Sequence, residues 1–294
     1  MALRLDPAKE LPGEFARLVE GSISDIEGHL GRALDGDAAG FHDARKAIKK
    51  LRALIRLVRP ASPDLLRLNE RRLRDAARAV AGPRAAVAAI ETVDRLIAAY
   101  PRKVDRCALR DIRAALGERR DRIAATDMQA SVASAIGIVR EARDGLRSVS
   151  FDGDDAGILA EGLRRTLTHW KDALKRVRTR GSPDDFHALR KAVKAHWAQL
   201  GLLRDFKLGF PASDRARVEA LGETLGELND IHEMREALVC GTLDLPEEID
   251  LSPFAKLLKT SAKTLETTTL KTAAGMVKGR KTGLKRRLAR AKAA

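Results

Sequence analysis

Two nine-residue stretches, Phe41-His42-Asp43-Ala44-Arg45-Lys46-Ala47-Ile48-Lys49 and Phe186-His187-Ala188-Leu189-Arg190-Lys191-Ala192-Val193-Lys194, share the pattern F-H-x-x-R-K-A-[IV]-K at a constant offset of 145 residues. Each gathers an imidazole, a guanidinium and two ammonium groups, which donate charge-assisted hydrogen bonds to anionic oxygen. On a helix, at about 100° per residue, His42, Arg45, Lys46, Lys49 and Arg56 fall within roughly a third of the circumference, and Ala44, Ala47, Ile48, Leu51, Leu54, Ile55 and Val58 take the opposite side. In the second copy His187, Arg190, Lys191 and Lys194 repeat the charged arc, while Leu189, Ala192, Val193, Leu200 and Leu203 repeat the apolar one. One face is built to pack and the other to present cations.

From Phe41 to Arg59 there are seven basic residues against one acid, Asp43. Like charges one turn apart repel by a few tenths of a kcal/mol, whereas Glu-to-Lys pairs gain as much, so a face serving solubility alone would mix signs. A one-sign cluster kept in both copies makes sense when an anion neutralises it. The expected binding surface is therefore His42, Arg45, Lys46, Lys49, Arg52 and Arg56 with His187, Arg190, Lys191 and Lys194, and Arg84 is expected to add to it. Arginine can bind phosphate oxygens in a fork, while lysine acts as a mobile point charge.

The two histidines read as phosphate donors first and as plain first-turn residues second. Metal ligation ranks last, because no Asp, Glu or Cys stands three or four residues after either one. Beside condensed phosphate an imidazole is favoured as its cation, so binding is expected to strengthen as pH falls. His196 lies on the apolar arc and is expected in the core. His232 has carboxylates around it but not the two-histidine spacing of a zincin, and His29 and His169 read as structural or surface residues.

Catalysis would need more than charge. The sequence holds no G-x-x-x-x-G-K-[ST] loop, no H-E-x-x-H, no G-x-S-x-G elbow and no paired carboxylates near the basic helices to hold magnesium. The chain is expected to bind rather than to catalyse, with no cofactor and no metal.

The whole chain supports an anionic partner. Its 56 Lys+Arg exceed 41 Asp+Glu, for a formal net charge of +15, and a charge of that size attracts anions without specifying a fold. Aromatics are only 3%, which leaves few rings on which exposed bases could stack. Phosphate, rather than base, is the favoured target. The run from Lys278 to Arg290 is either a source of sequence-independent phosphate affinity, which keeps a nucleic-acid or chromatin-type binder as the alternative, or a frayed solvated end. Apolar runs are broken well before 18 residues, and Met1 to Phe15 carries Arg4, Asp6, Lys9 and Glu10, so no membrane segment is expected and a cytosolic location is. Cys107 and Cys240 lie far apart, with no paired spacing to suggest zinc or a disulfide.

Apolar residues recur at helical spacing along nearly the whole chain, as in Leu18, Ile23, Ile26 and Leu30, and period-2 runs are missing. The protein is expected to be all-α. Breaks are expected at Pro60 to Pro63, Gly82-Pro83, Tyr100-Pro101, Ser148 to Gly157, Gly181 to Pro183, Phe210-Pro211 and Leu245-Pro246. Ser182-Pro183-Asp184-Asp185 supplies a cap, a proline at the first position and an acid in the first turn of the second basic helix. With the same offset, Ala53, Leu57 and Arg59 match Ala198, Leu202 and Arg204. Duplication of one unit of about four helices accounts for this, with boundaries at 1–150 and 151–294.

The twice-repeated F-H-x-x-R-K-x-x-K unit, each time opening a long basic helix in an all-α chain, resembles the CHAD family, the conserved-histidine α-helical domain. His42 to Arg52 is similar to the family's H-x-x-R-V-x-x-R-R-L-R, with Lys46 at the usual apolar position, and His187 to Lys194 matches H-x-x-R-K-x-x-K. Leu225-Gly226-Glu227-Leu228-Asn229-Asp230 resembles the family's L-G-x-x-R-D, with Asn229 in place of arginine; Val80 to Ala85 keeps Arg84 but has Ala85 for the acid. The resemblance implies one CHAD domain of two antiparallel bundles related by a pseudo-twofold. It further implies that the two histidine helices share a basic groove or pore for inorganic polyphosphate, with other polyanions as lesser partners. Association with polyphosphate granules and polyphosphate-metabolising enzymes follows from the family alone. The triphosphate-tunnel (CYTH) enzyme domain to which some members are fused has no E-x-E-x-K element here.

Overall fold

Among the described residues, amphipathic periodicity and proline or glycine punctuation set out eleven α-helices. The computed structural model describes residues 3–37, 39–100, 106–124, 128–206, 208, 212–243, 245, 249–273, 276 and 283–293, apart from the side chains of 82–86, 106–108, 121–124 and 212. The helices are α1 (Leu11–Leu34), α2 (Ala39–Val58), α3 (Pro63–Ala79), α4 (Gly82–Ala99), α5 (Arg106–Ala124), α6 (Met128–Arg147), α7 (Asp155–Thr179), α8 (Pro183–Leu202), α9 (Ala212–Val239), α10 (Ser252–Ala273) and α11 (Leu284–Lys292). A 3-10 turn, Arg204–Phe206, follows α8. Every regular element among the described residues is helical, so the fold is all-α. No helix among them is long and apolar enough to cross a membrane.

Helices α1, α2, α3 and α6 form one bundle, in which α1 lies against α2 and α6 while α3 closes the other side against the same pair. Helices α4 and α5 form a hairpin, and α4 reaches across to α9. In the second half α7, α8, α9 and α10 pack in succession, with α11 on α7. The seam between the halves is made by α2 against α7 and α8. Composition allows a core in each half, yet the buried apolar residues form one continuous core from Leu5 to Leu288.

Local signals explain most boundaries. Ser182 caps α8 by accepting the Asp185 amide at 3.2 Å, and the Asp185 carboxylate accepts the Ser182 amide at 3.4 Å, a reciprocal capping box with Pro183 at the first position. Asp154 caps α7 by accepting the Ala156 and Gly157 amides, so Gly157 belongs to the helix rather than to the preceding link. The break between α1 and α2 carries no proline, and Gly36 makes that turn at φ 94°, a conformation that side chains with a Cβ disfavour. Pro101, Phe210-Pro211 and Pro246 lie outside the described residues.

The segment before α1 and the helix α11 are both tied down. The Leu5 amide donates to the Leu202 carbonyl at 3.0 Å, which stitches the first segment to the second half. Asp155, at the start of α7, accepts the Leu11 amide at 2.9 Å and pairs with Lys292 at 2.8 Å, while Lys292 also donates to the Lys9 carbonyl at 2.7 Å. Residues 284–292 therefore depart from a frayed solvated end: they form an amphipathic helix that buries Leu284 and Leu288. Residues 278–282 of the same basic run lie outside the described residues.

The seam demands a close approach. A Cβ at Gly162 of α7 would overlap the Leu57 carbonyl of α2, and backbone cannot yield as a flexible side chain can. Gly162→Ala is expected to lower unfolding free energy by about 1–3 kcal/mol, read by urea denaturation.

Candidate anion-binding interface

The apolar side of α2, including Phe41, Ala44, Ile48, Leu51, Leu54, Ile55 and Val58, is buried, and so are Phe186, Leu189, Ala192 and Val193 of α8. Because both helices bury these faces in a shared seam, their charged arcs emerge beside one another. Arg52 and Arg56 of α2, Arg74 of α3 and Arg190 of α8 all bear electrostatically on Lys191. Lys191 reaches solvent, yet partial loss of hydration and then these four cations push its ammonium below the ordinary lysine value. The structure thus brings Arg52, Arg56, Arg190 and Lys191 together and adds Arg74.

One carboxylate organises the α2 side. Glu70 of α3 accepts from Arg56 Nε at 2.6 Å and Arg52 Nη2 at 3.2 Å on Oε1, and from Arg59 on Oε2. Burial opposes its ionisation, but Arg56, Arg59 and Arg52 outweigh that and hold Glu70 below the usual carboxylate range. Burial likewise pushes Arg52 and Arg59 below the usual guanidinium value. Three guanidiniums around one carboxylate leave two positive charges in excess.

The rest of the first arc divides. Arg45 donates to the Ala77 carbonyl in the last turn of α3, where a cation satisfies an end carbonyl and complements the helix dipole. Lys46 turns the other way and, with Lys50, lines a groove of about 190 Å³ against α1 whose wall includes Asp25, Asp43 and His29. His42 and Lys49 are exposed on the arc between these two directions. The Arg84 side chain lies outside the described residues.

On α8, Lys194 and Arg190 lie across α9, where two glycines leave room. A Cβ at Gly222 would stand 3.2 Å from Lys194 Cε, and one at Gly226 would stand 3.9 Å from Arg190 Nε. Loss of hydration and then Arg190 push Lys194 below its ordinary value, against a smaller opposing pull from Glu223 and Glu219. His187 meets Asn229 through Nδ1, and Asn229 donates to Glu233 at 2.7 Å. Next to Asn229, Asp230 accepts from Arg95 of α4 at 2.8 Å, which ties the α4–α5 hairpin to α9.

His196 is fully buried against the Trp170 ring, 5.5 Å between centroids. His232 is largely buried, 3.2 Å from Glu266 and edge-on to Phe186; burial, its largest influence, lowers its pKa despite that carboxylate. His29 lies 3.0 Å from Arg32.

Reading one helix at a time missed Arg59, Glu70, Arg74, Asn229 and Glu233. The run Asn69-Glu70-Arg71-Arg72-Leu73-Arg74 gathers charge on α3, but only the packing of α2 on α3 shows which acid serves which cations. Glu70→Gln is expected to cost about 2 kcal/mol at neutral pH by weakening charged hydrogen bonds. A carboxyl that ionises more readily when folded contributes stability that is present above the unfolded pKa and lost as pH falls through the folded value. The gap between wild type and Glu70→Gln in urea unfolding should therefore close as pH drops through and below the usual carboxylate range.

Comparison with known proteins agrees with this architecture. The family model for the CHAD domain matches residues 17–239. No curated protein matches the chain. Among solved structures, PptA from Streptomyces chartreusis superposes with a TM-score of 0.60 at 16% identity, covering 90% of this chain and 97% of that one. The crystal structure of the CHAD domain from the plant Ricinus communis also gives 0.60, at 14% identity, covering 98% of this chain and 95% of that one. At such identities the structures speak for the fold alone, but with a family model spanning most of its length, the chain belongs to the CHAD family.

Proposed function

We propose that this protein binds inorganic polyphosphate, without catalysis, along the junction of α2, α3 and α8. The observation that carries this reading is the convergence of Arg52, Arg56, Arg74, Arg190 and Lys191 from three helices, where partial loss of hydration and then the four arginines push Lys191 below its ordinary value. Such crowding costs free energy in the empty protein, and an anion with closely spaced charges offsets it. Linear polyphosphate carries one charge per phosphate on a flexible thread and has no groove or base to read. Cations on rigid helix faces suit it, and many contacts along one chain give avidity that grows with polymer length. Membership of the CHAD family points the same way, and the resemblance further suggests a cytoplasmic location at polyphosphate granules. An unchanged distribution of tagged protein in cells lacking polyphosphate would remove the granule part.

Nucleic acid is the second reading, because dispersed positive charge binds any phosphate backbone. Labelled long-chain polyphosphate competed with duplex DNA of equal total charge, near physiological salt, separates the two. Wild type is expected to prefer polyphosphate, and Arg190→Ala/Lys191→Ala to weaken it by at least about tenfold through lost charge-assisted hydrogen bonds. A smaller loss is expected for His42→Ala/His187→Ala. Equal affinity for both polymers, untouched by these substitutions, would overturn the proposal and put nucleic acid first.

A further inference from the structure

The contact between His187 and Asn229 has a direction. The Asn229 amide has one donating end and one accepting end, and its Nδ2 donates to Glu233 Oε1 at 2.7 Å. A carboxylate only accepts, so Glu233 claims the NH2 end and turns the carbonyl oxygen toward His187 Nδ1. That oxygen also only accepts, so Nδ1 must carry the hydrogen. The reversed amide would set oxygen against oxygen at Glu233. Asn229 is 9% exposed, which leaves little room for water to take either role.

This arrangement commits one ring nitrogen and leaves the other. His187 stands one turn before Arg190 and Lys191 on the charged arc of α8, while Asn229 and Glu233 lie one turn apart on α9, which packs against α8. We propose that Asn229 and Glu233 are positioning residues for phosphate at His187: they hold Nδ1–H against α9 and leave Nε2 as the atom that meets the anion. As the imidazolium, Nε2–H donates to a phosphate oxygen. The first copy cannot repeat this. At the 145-residue offset, Arg84 and Ala88 stand where Asn229 and Glu233 do, and a guanidinium only donates while alanine has no polar side-chain atom. The two histidines are therefore inequivalent, and His187 is the oriented one.

The inference rests on reading the junction as a phosphate site, and its test separates the two. Glu233 is exposed, so its replacement spares the core. By charge alone, removing a carboxylate near a polyanion site tightens binding. If Glu233 positions His187, Glu233→Met weakens long-chain polyphosphate binding by about two- to fivefold, Glu233→Gln, which keeps an acceptor, recovers most of the loss, and neither change weakens binding further in a His187→Ala background. Tighter binding by Glu233→Met, or equal weakening with and without His187, overturns the proposal. Independently of any ligand, imidazole 15N NMR of the full chain at alkaline pH should find the His187 hydrogen on Nδ1 and a loss of that preference in Glu233→Met. A hydrogen on Nε2 in wild type overturns the relay itself. A wild type with the hydrogen on Nδ1 that binds no polyphosphate overturns the proposed function and the phosphate role of the relay, while leaving its hydrogen bonds standing.

Discussion

Like charges held side by side are the constraint around which the seam is arranged. The apolar faces of α2 and α8 gain by burial, and that burial brings their cationic faces together whether or not the cations attract. The surrounding structure reduces the cost without cancelling the charge. Glu70 takes up one of three positive charges beneath Arg52, Arg56 and Arg59. Gly222 and Gly226 open space on α9 so that Lys194 and Arg190 lie along the helix instead of standing off it. Gly162 lets α7 approach the end of α2 closely enough for the seam to form.

How much of this the sequence makes legible depends on the range of the interaction. The all-α class, the capping box of α8, the buried side of both basic helices and His196 in the core follow from periodicity and short-range capping chemistry, each expressed within a few residues. The turn at Gly36 was less visible because one glycine at positive φ does what proline does elsewhere. Within the site, periodicity places Arg45 and Lys46 on one arc, since successive residues differ by only about 100°. The packing partners separate them: α3 offers Arg45 the Ala77 carbonyl, and Lys46 lines a groove against α1 with Asp25 of that helix and Asp43 of its own. Glu70, Arg74, Asn229 and Glu233 stayed hidden because their importance comes from neighbours on other helices.

The departures from the family pattern acquire a physical reading. Asn229 stands where the resemblance calls for arginine, and an amide can accept from His187 whereas a guanidinium cannot. The neighbouring Asp230 engages Arg95 of the α4–α5 hairpin, so adjacent residues of α9 face the basic helix and the first half of the chain. One short segment thereby joins site geometry to the docking of the halves.

Asp155 accepts from the Leu11 amide and pairs with Lys292, which reaches on to the Lys9 carbonyl. Between residues 9 and 292 the path of the backbone is consequently almost a closed ring, fastened at the entrance to α7. In such a ring the order of elements along the chain matters less than their neighbours. A short linker from residue 292 to residue 9, with a new opening between the exposed Asp152 and Gly153, would leave the α2–α8 seam in place while making α7 the first helix of a circularly permuted chain.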